Sequence, residues 1–138
     1  MLRGRHIVLT ELRSEDSPRL FRWINDPQTV RFNAPYKPIH AASHAKWFER
    51  VLGDPKRIIF AIRNPTGGLL GFVQLIDVDP IHRSAELTIR IGDDKNRNHG
   101  AGSEAVKLIV DFAFRDCNLQ RVWLHVFATN KRAIRAYE

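Results

Sequence analysis

The chain has 138 residues, of which 43% are hydrophobic and 27% charged, the size and composition of one globular domain with a core of its own. A single cysteine, Cys117, excludes an internal disulfide framework, and no Cys/His cluster has zinc spacing. Against 15 acidic residues stand 22 Lys and Arg, a formal charge of +7 spread along the chain without a basic block, which suits an anionic ligand without naming it.

No apolar run approaches the ~18 residues that a membrane span needs. The opening Met1-Leu2-Arg3-Gly4-Arg5-His6 lacks a signal-peptide core, so a cytoplasmic protein that does not engage a membrane is expected. Without repeats or linkers, residues 1–138 read as a single domain. Residues 7–12 read as a first strand. Ser14-Glu15-Asp16-Ser17-Pro18 then offers a cap and a first-turn proline for a helix through Asn25, with Leu20, Phe21 and Ile24 on one face. A proline-bearing loop (Pro27, Pro35, Pro38) leads to a second helix over residues 41–52, with Ala45, Phe48 and Leu52 at helical spacing.

The period then changes from helical to alternating. Strands are expected over 57–62, 69–78 and 84–91, joined by Asn64-Pro65-Thr66-Gly67-Gly68 and Asp79-Pro80 as an antiparallel meander. A polar loop over 92–102 runs into a long helix at 103–117, whose apolar stripe is Val106, Ile109, Val110 and Ala113. A strand over 121–127 and a helix from Asn130 to Glu138 follow. Strands, a crossover helix and a further strand make a mixed α/β sheet, mostly antiparallel and flanked by helices.

The informative segment is Arg97-Asn98-His99-Gly100-Ala101-Gly102, between a strand and a helix. Two glycines let several backbone N–H groups converge, and the helix N-terminus adds partial positive charge, which together suit a phosphate. Neither usual nucleotide loop is present: the Lys-Ser/Thr ending of a P-loop is absent, and the third glycine of the dinucleotide pattern is replaced by Ala105. On spacing alone a plain strand-to-helix turn fits equally well.

Ile89-Arg90-Ile91-Gly92, Arg97-x-x-Gly100-x-Gly102, Ser103-Glu104-Ala105 and Asn130-x-x-Ala133-Ile134-x-x-Tyr137-Glu138 together resemble the GNAT superfamily of CoA-dependent N-acetyltransferases. Leu9-x-x-Leu12, Trp23-x-Asn25-Asp26 and Ile81-His82-Arg83-Ser84-Ala85-Glu86 are similar to the branch of ribosomal-protein alanine/serine N-acetyltransferases, which also holds spermidine acetyltransferases. The resemblance implies acetyl-CoA as co-substrate, an amine acceptor and no metal. It places Arg97, Asn98, His99, Gly100, Ala101, Gly102 and Ser103 on the pyrophosphate, acting mainly through backbone N–H groups. Ile89, Arg90 and Ile91 would pair their backbone with the pantetheine arm, and an N–H there would polarise the thioester carbonyl. Asn130 matches a CoA contact, or else an N-cap of the last helix. Tyr137 matches a proton donor to the leaving thiolate, or else packs on the sheet. Glu86 matches a base working through water, or else pairs with Arg83 or Arg90.

The residue types suit the reaction. An ammonium of pKa ~8 to ~10 must lose a proton before attacking a thioester, a carboxylate near water can take it, and no acyl-enzyme is needed when both substrates are held together. The expected acceptor is a protein N-terminal α-amine or another small amine; a polyamine is disfavoured by the overall positive charge. Trp23, Phe32 and Tyr36 are candidates for the acceptor wall or for core packing. His40 and His44, four apart on a helix, lack further ligands for a metal, His125 reads as a half-buried strand residue, and Cys117 has no histidine partner to make it a nucleophile.

Family members continue past the Tyr-Glu of the last motif through a Lys/Arg-x-x-Gly-Phe turn into two more strands. A sheet short of those C-terminal strands is therefore expected, with a partner, most simply a second copy of the chain, over its open edge. The alternatives are a catalytically impaired CoA-binding remnant and, ranked last for want of an aromatic–basic motif, an RNA- or ribosome-binding module.

Overall fold

A computed structural model describes residues 1–24, 39–92 and 100–123. Among these residues six strands follow one another in sequence order: β1 (Leu2–Arg3), β2 (Val8–Thr10), β3 (Ile58–Arg63), β4 (Leu69–Asp79), β5 (Ser84–Ile91) and β6 (Arg121–Trp123). Every pairing is antiparallel except β5 with β6, which is parallel and joins Ser84 to Arg121 and Glu86 to Trp123. The crossover carrying the chain between those two parallel strands contains α3 (Ala101–Arg115). A 3-10 turn (Ser14–Asp16) leads into α1 (Ser17–Ile24), and α2 (Ala41–Gly53) precedes the meander. This is the mixed α/β architecture that the strand and helix periods predict. None of the described helices is long and apolar enough to cross a membrane.

Strand alternation divides the sheet's side chains between two faces. On one face Leu9, Ile62, Val73, Leu75, Ala85 and Leu87 pack on Ala105, Val106, Ile109 and Ala113 of α3, so the predicted stripe is the buried one, with Val110 at its margin. Phe60 meets Phe112 edge-on at 5.4 Å between ring centres. Fully burying each Leu or Ile here contributes about 1.5–3 kcal/mol. The other face holds Leu12, Leu20, Trp23, Phe48, Ala61, Leu69 and Phe72 under α1 and α2.

Two helices differ from the sequence reading. In α2 the buried positions are His44, Phe48 and Val51, while Ala45 and Leu52 face solvent. The face is rotated because the His44 ring Nε2 donates to the Ser17 carbonyl of α1 at 3.2 Å and Trp47 packs on Phe72. Helix α3 begins at Ala101, two residues before the expected start. Gly100 adopts φ 76°, ψ 4°, a left-handed conformation that turns the chain at once and puts Ala101 into the core. Strand β1 was not anticipated; two residues carry no readable period. The Asn64 turn forms as expected, its Oδ1 accepting from Thr66 and Gly68 N–H groups.

An ion pair ties the helical layer to the sheet. Arg63 on β3 donates to both Asp16 carboxylate oxygens, at 3.1 and 2.7 Å, and to Thr10 Oγ1 at 2.8 Å. Both partners are buried, and Asp16 also accepts from the Arg13 N–H, capping the turn before α1.

Candidate functional site

Strand β5 ends at Ile91, and Gly92 donates its N–H to the Leu70 carbonyl at 2.8 Å. A side chain at Gly92 would overlap the Trp23 indole, so glycine is what lets α1 close over the end of the strand. Beyond residues 93–99, Gly100 caps α3 with no side chain bonded to the cap. The helical ladder opens with Glu104 N–H to Gly100 C=O at 3.0 Å, which leaves the N–H groups of Ala101, Gly102 and Ser103 ahead of the first intrahelical bond. A Cβ on Gly102 would lie 3.8 Å from Ile89 Cδ1 and Ile91 Cγ1, an ordinary contact. Packing against the described residues therefore does not require glycine at 102.

The structure thus brings Ile89 and Ile91 of β5 to the first turn of α3, with Gly100, Ala101, Gly102 and Ser103 forming that turn and its cap. Of the loop expected to hold phosphate, its last members are helix rather than loop. Arg97, Asn98, His99, Asn130 and Tyr137 lie outside the described residues, as do Phe32, Tyr36, His125 and the expected last helix. Glu86 is half-buried on β5, opposite Ile76 of β4. Of its two expected partners, Arg83 instead donates to the Asn118 carbonyl at 2.8 Å and Asn118 Oδ1 at 2.7 Å.

Glu104, part of the Ser103-Glu104-Ala105 motif, has a defined place in the first turn. Glu104 Oε1 accepts from the backbone N–H of His6 at 2.7 Å and of Ile7 at 3.3 Å, pinning the chain before β2 to α3. A carboxylate there also complements the helix dipole. An Asp or Glu in the first helical turn is a readable signal, but its partner 98 residues away is not.

On the opposite face of β5 the even-numbered residues point under α1 and α2. A cavity of about 140 Å³ opens there. Leu20 and Trp23 of α1, Trp47 of α2 and Phe72 of β4 form its apolar walls, and His44, Gln74 and Arg90 supply its polar atoms. Gln74 Oε1 accepts from Arg57 Nη1 at 2.8 Å. Burial pushes the His44 imidazole below its usual value, offset in part by its bond to Ser17, so the ring is neutral near pH 7. Burial likewise lowers the Arg90 guanidinium from its ordinary value, although an arginine stays charged in water-accessible pH. Among the described residues that guanidinium has no hydrogen-bond or ion-pair partner, and the cavity lining contains no carboxylate.

The remaining candidates have bland surroundings. His40 is the exposed cap of α2, and no group of three or more metal-ligating side chains occurs among the described residues. Burial, with the Asp116 carboxylate beside it, raises the Cys117 thiol, the opposite of what a nucleophile needs. Trp23 is a core residue, nearly all of it covered, that also forms a cavity wall.

Known proteins resemble this chain in both sequence and shape. Spermidine N(1)-acetyltransferase of Vibrio cholerae is 28% identical over 107 residues, a match covering 78% of this chain and 60% of that enzyme. The Escherichia coli K12 spermidine N(1)-acetyltransferase is 27% identical over 133 residues, covering 95% of this chain and 69% of the enzyme. The chain thus spans about two thirds or less of the length of these relatives. The crystal structure of the Vibrio cholerae spermidine N-acetyltransferase in complex with CoA and spermine superposes with a TM-score of 0.86 at 23% identity, covering 97% of this chain and 79% of that one, which establishes a shared fold. The family model for the acetyltransferase (GNAT) domain matches residues 6–138, so the chain belongs to the GNAT acetyltransferase family.

Proposed function

We propose that the chain is an acetyl-CoA-dependent N-acetyltransferase acting on a primary amine. The observation that carries this reading is the α3 N-terminus: a left-handed Gly100 followed by open N–H groups at Ala101, Gly102 and Ser103, at the end of β5. Such a terminus attracts a diphosphate through oriented donors and the helix dipole. That no described residue requires glycine at 102 for packing fits a ligand approaching the backbone closely. Family membership and the spermidine-acetylating relatives supply the reaction class.

Acetyl-CoA supplies an activated thioester, so the protein's task is to position two substrates and move protons. Gly100 to Ser103, with Arg97, Asn98 and His99, would hold the diphosphate, and Asn130 would contact the same molecule. The backbone of Ile89, Arg90 and Ile91 would pair with the pantetheine amides, one β5 N–H polarising the thioester carbonyl. Glu86 accepts the proton that the ammonium must shed, through water, and Tyr137 returns one to the departing thiolate.

Calorimetric titration of acetyl-CoA into the chain tests the reading, with Gly100→Asp/Gly102→Asp as the comparison. Micromolar binding, lost in a variant whose circular dichroism is unchanged, is the expected result. A folded wild-type chain that binds no acetyl-CoA would overturn it, and so would a variant that binds as well as the wild type.

A further inference from the structure

Arg90 is a fixed positive charge in a setting built mainly of carbon. It stands beside Phe72 across the β4–β5 ladder and shares a cavity with Trp23 and Trp47, and no described side chain neutralises it. Arg90 is half-buried, so its charge is only partly hydrated at the cavity, and an anion entering there would complete the pair. The neighbouring polar groups do not supply that anion. His44 is neutral and bonded to Ser17, and Gln74 offers its oxygen to Arg57. Thr88, cross-strand from Gln74 and two residues from Arg90, has a buried hydroxyl that likewise lacks a partner.

We infer that this cavity is the anion-accepting part of the acceptor site, and that the amine it serves carries a carboxylate next to a compact apolar body. The chemistry matches each wall. A planar guanidinium receives a carboxylate through two parallel N–H donors, and the aromatic walls receive hydrocarbon. A volume of about 140 Å³ is of the size that accommodates a single ring. Strand β5 carries the α3 terminus on the face of Ile89 and Ile91 and the cavity on the face of Arg90, so one strand serves both substrates. Among the described residues that line the cavity a polyamine would meet an arginine and no acid, with Glu86 further along the strand as the proposed proton acceptor. The inference rests on the acetyl-transfer reading only for the identity of the cavity's occupant as an acceptor.

Trp23 and Trp47 provide a direct readout, because a ligand in the cavity changes their fluorescence. The full chain is titrated with L-phenylalanine, with phenethylamine, which lacks the carboxylate, and with spermidine. L-phenylalanine is expected to saturate the signal with an affinity about tenfold tighter than phenethylamine, the worth of one charge-assisted pair, and spermidine to give no saturable change. Arg90→Gln abolishes that difference and Arg90→Lys keeps part of it; circular dichroism shows that each variant folds. Equal affinity for the two aromatic amines overturns the inference. So does a preference that survives Arg90→Gln, a saturable response to spermidine alone, or no saturable response to any of the three. Acetyl-CoA binding is measured separately by calorimetry, so a chain that prefers L-phenylalanine through Arg90 yet binds no acetyl-CoA would retire the acetyl-transfer reading and leave the anion subsite standing.

Discussion

Against α3 the sheet presents Leu9, Ile62, Val73, Leu75 and Leu87, all fully buried, whereas beneath α1 and α2 it presents Thr10, Arg63, Gln74, Thr88 and Arg90 among aromatic rings. Both faces belong to the same six strands, and the alternation of side chains along each strand keeps them separate. The α3 face is close-packed hydrocarbon, in which small alanines at 101, 105 and 113 let the helix approach the strands. The opposite face leaves a cavity and holds its layer with a buried ion pair and a neutral histidine. A domain can keep costly polar groups and open space on one side because the other side supplies the stability. That asymmetry is why the proposed acceptor subsite is placed on the α1–α2 face.

The largest difference between the faces is expected at the buried Arg63–Asp16 pair. Asp16→Ala leaves a buried guanidinium without its counter-charge and removes the cap of the turn before α1. The expected cost is about 3–5 kcal/mol, read as a fall in the urea midpoint. Asp16→Ala/Arg63→Met restores much of that loss, because the stranded charge is gone. A single-variant cost below about 1 kcal/mol would mean that the pair does not hold the layer, since exposed pairs have that value.

The two faces also differ in how far they were readable. The α3 stripe of Val106, Ile109 and Ala113 follows from helical period alone, and β5 from its turns and alternation. On the other face the decisive partners are remote: Arg63 reaches Asp16 across 47 residues, and His44 reaches Ser17 across 27. Periodicity favours Ala45 and Leu52 as buried because they are apolar, yet the fold buries His44, whose ring finds a carbonyl on another helix. In the candidate site, Gly100 was legible because a glycine at a strand-to-helix junction signals positive φ. The Arg90 cavity was not, because only the β4–β5 register and the docking of α1 and α2 show that this arginine faces aromatic walls. Sequence directed attention to the backbone of residue 90, and the fold directs it to the side chain.

A smaller effect separates the faces by pH. Burial lowers the affinity of His44 for its proton below that of the unfolded chain, so the unfolded state binds it more readily. The stabilisation from a neutral His44 is complete above the ordinary histidine value of ~6.5 and declines as the pH falls through and below it. The urea midpoint of the wild type is expected to drop between about pH 7 and about pH 5. His44→Gln, which retains a side-chain N–H donor but cannot titrate, flattens that limb. Asp79, held below the usual carboxylate range by its hydrogen bond from His82, acts in a lower window, as the pH falls below ~3.9. An acid limb of unchanged size in His44→Gln would show that groups other than this ring govern it.

The smallest expected effect is a gain. Thr88 places a buried hydroxyl on the α1–α2 face without a partner, next to Gln74 on β4 and Arg90 on its own strand. Leaving such a group unsatisfied costs about 1–3 kcal/mol, and valine has nearly the same shape without the oxygen. Thr88→Val is therefore expected to raise the melting temperature, by the equivalent of about 1 kcal/mol once imperfect packing is deducted. The buried strand residues on the α3 face carry no hydroxyl to remove, so the gain is specific to the face that holds the buried polar groups. If Thr88→Val instead destabilises the chain in the absence of any acceptor, the hydroxyl is satisfied within the fold itself. The α1–α2 face would then be as fully packed around residue 88 as the α3 face is around Ile109.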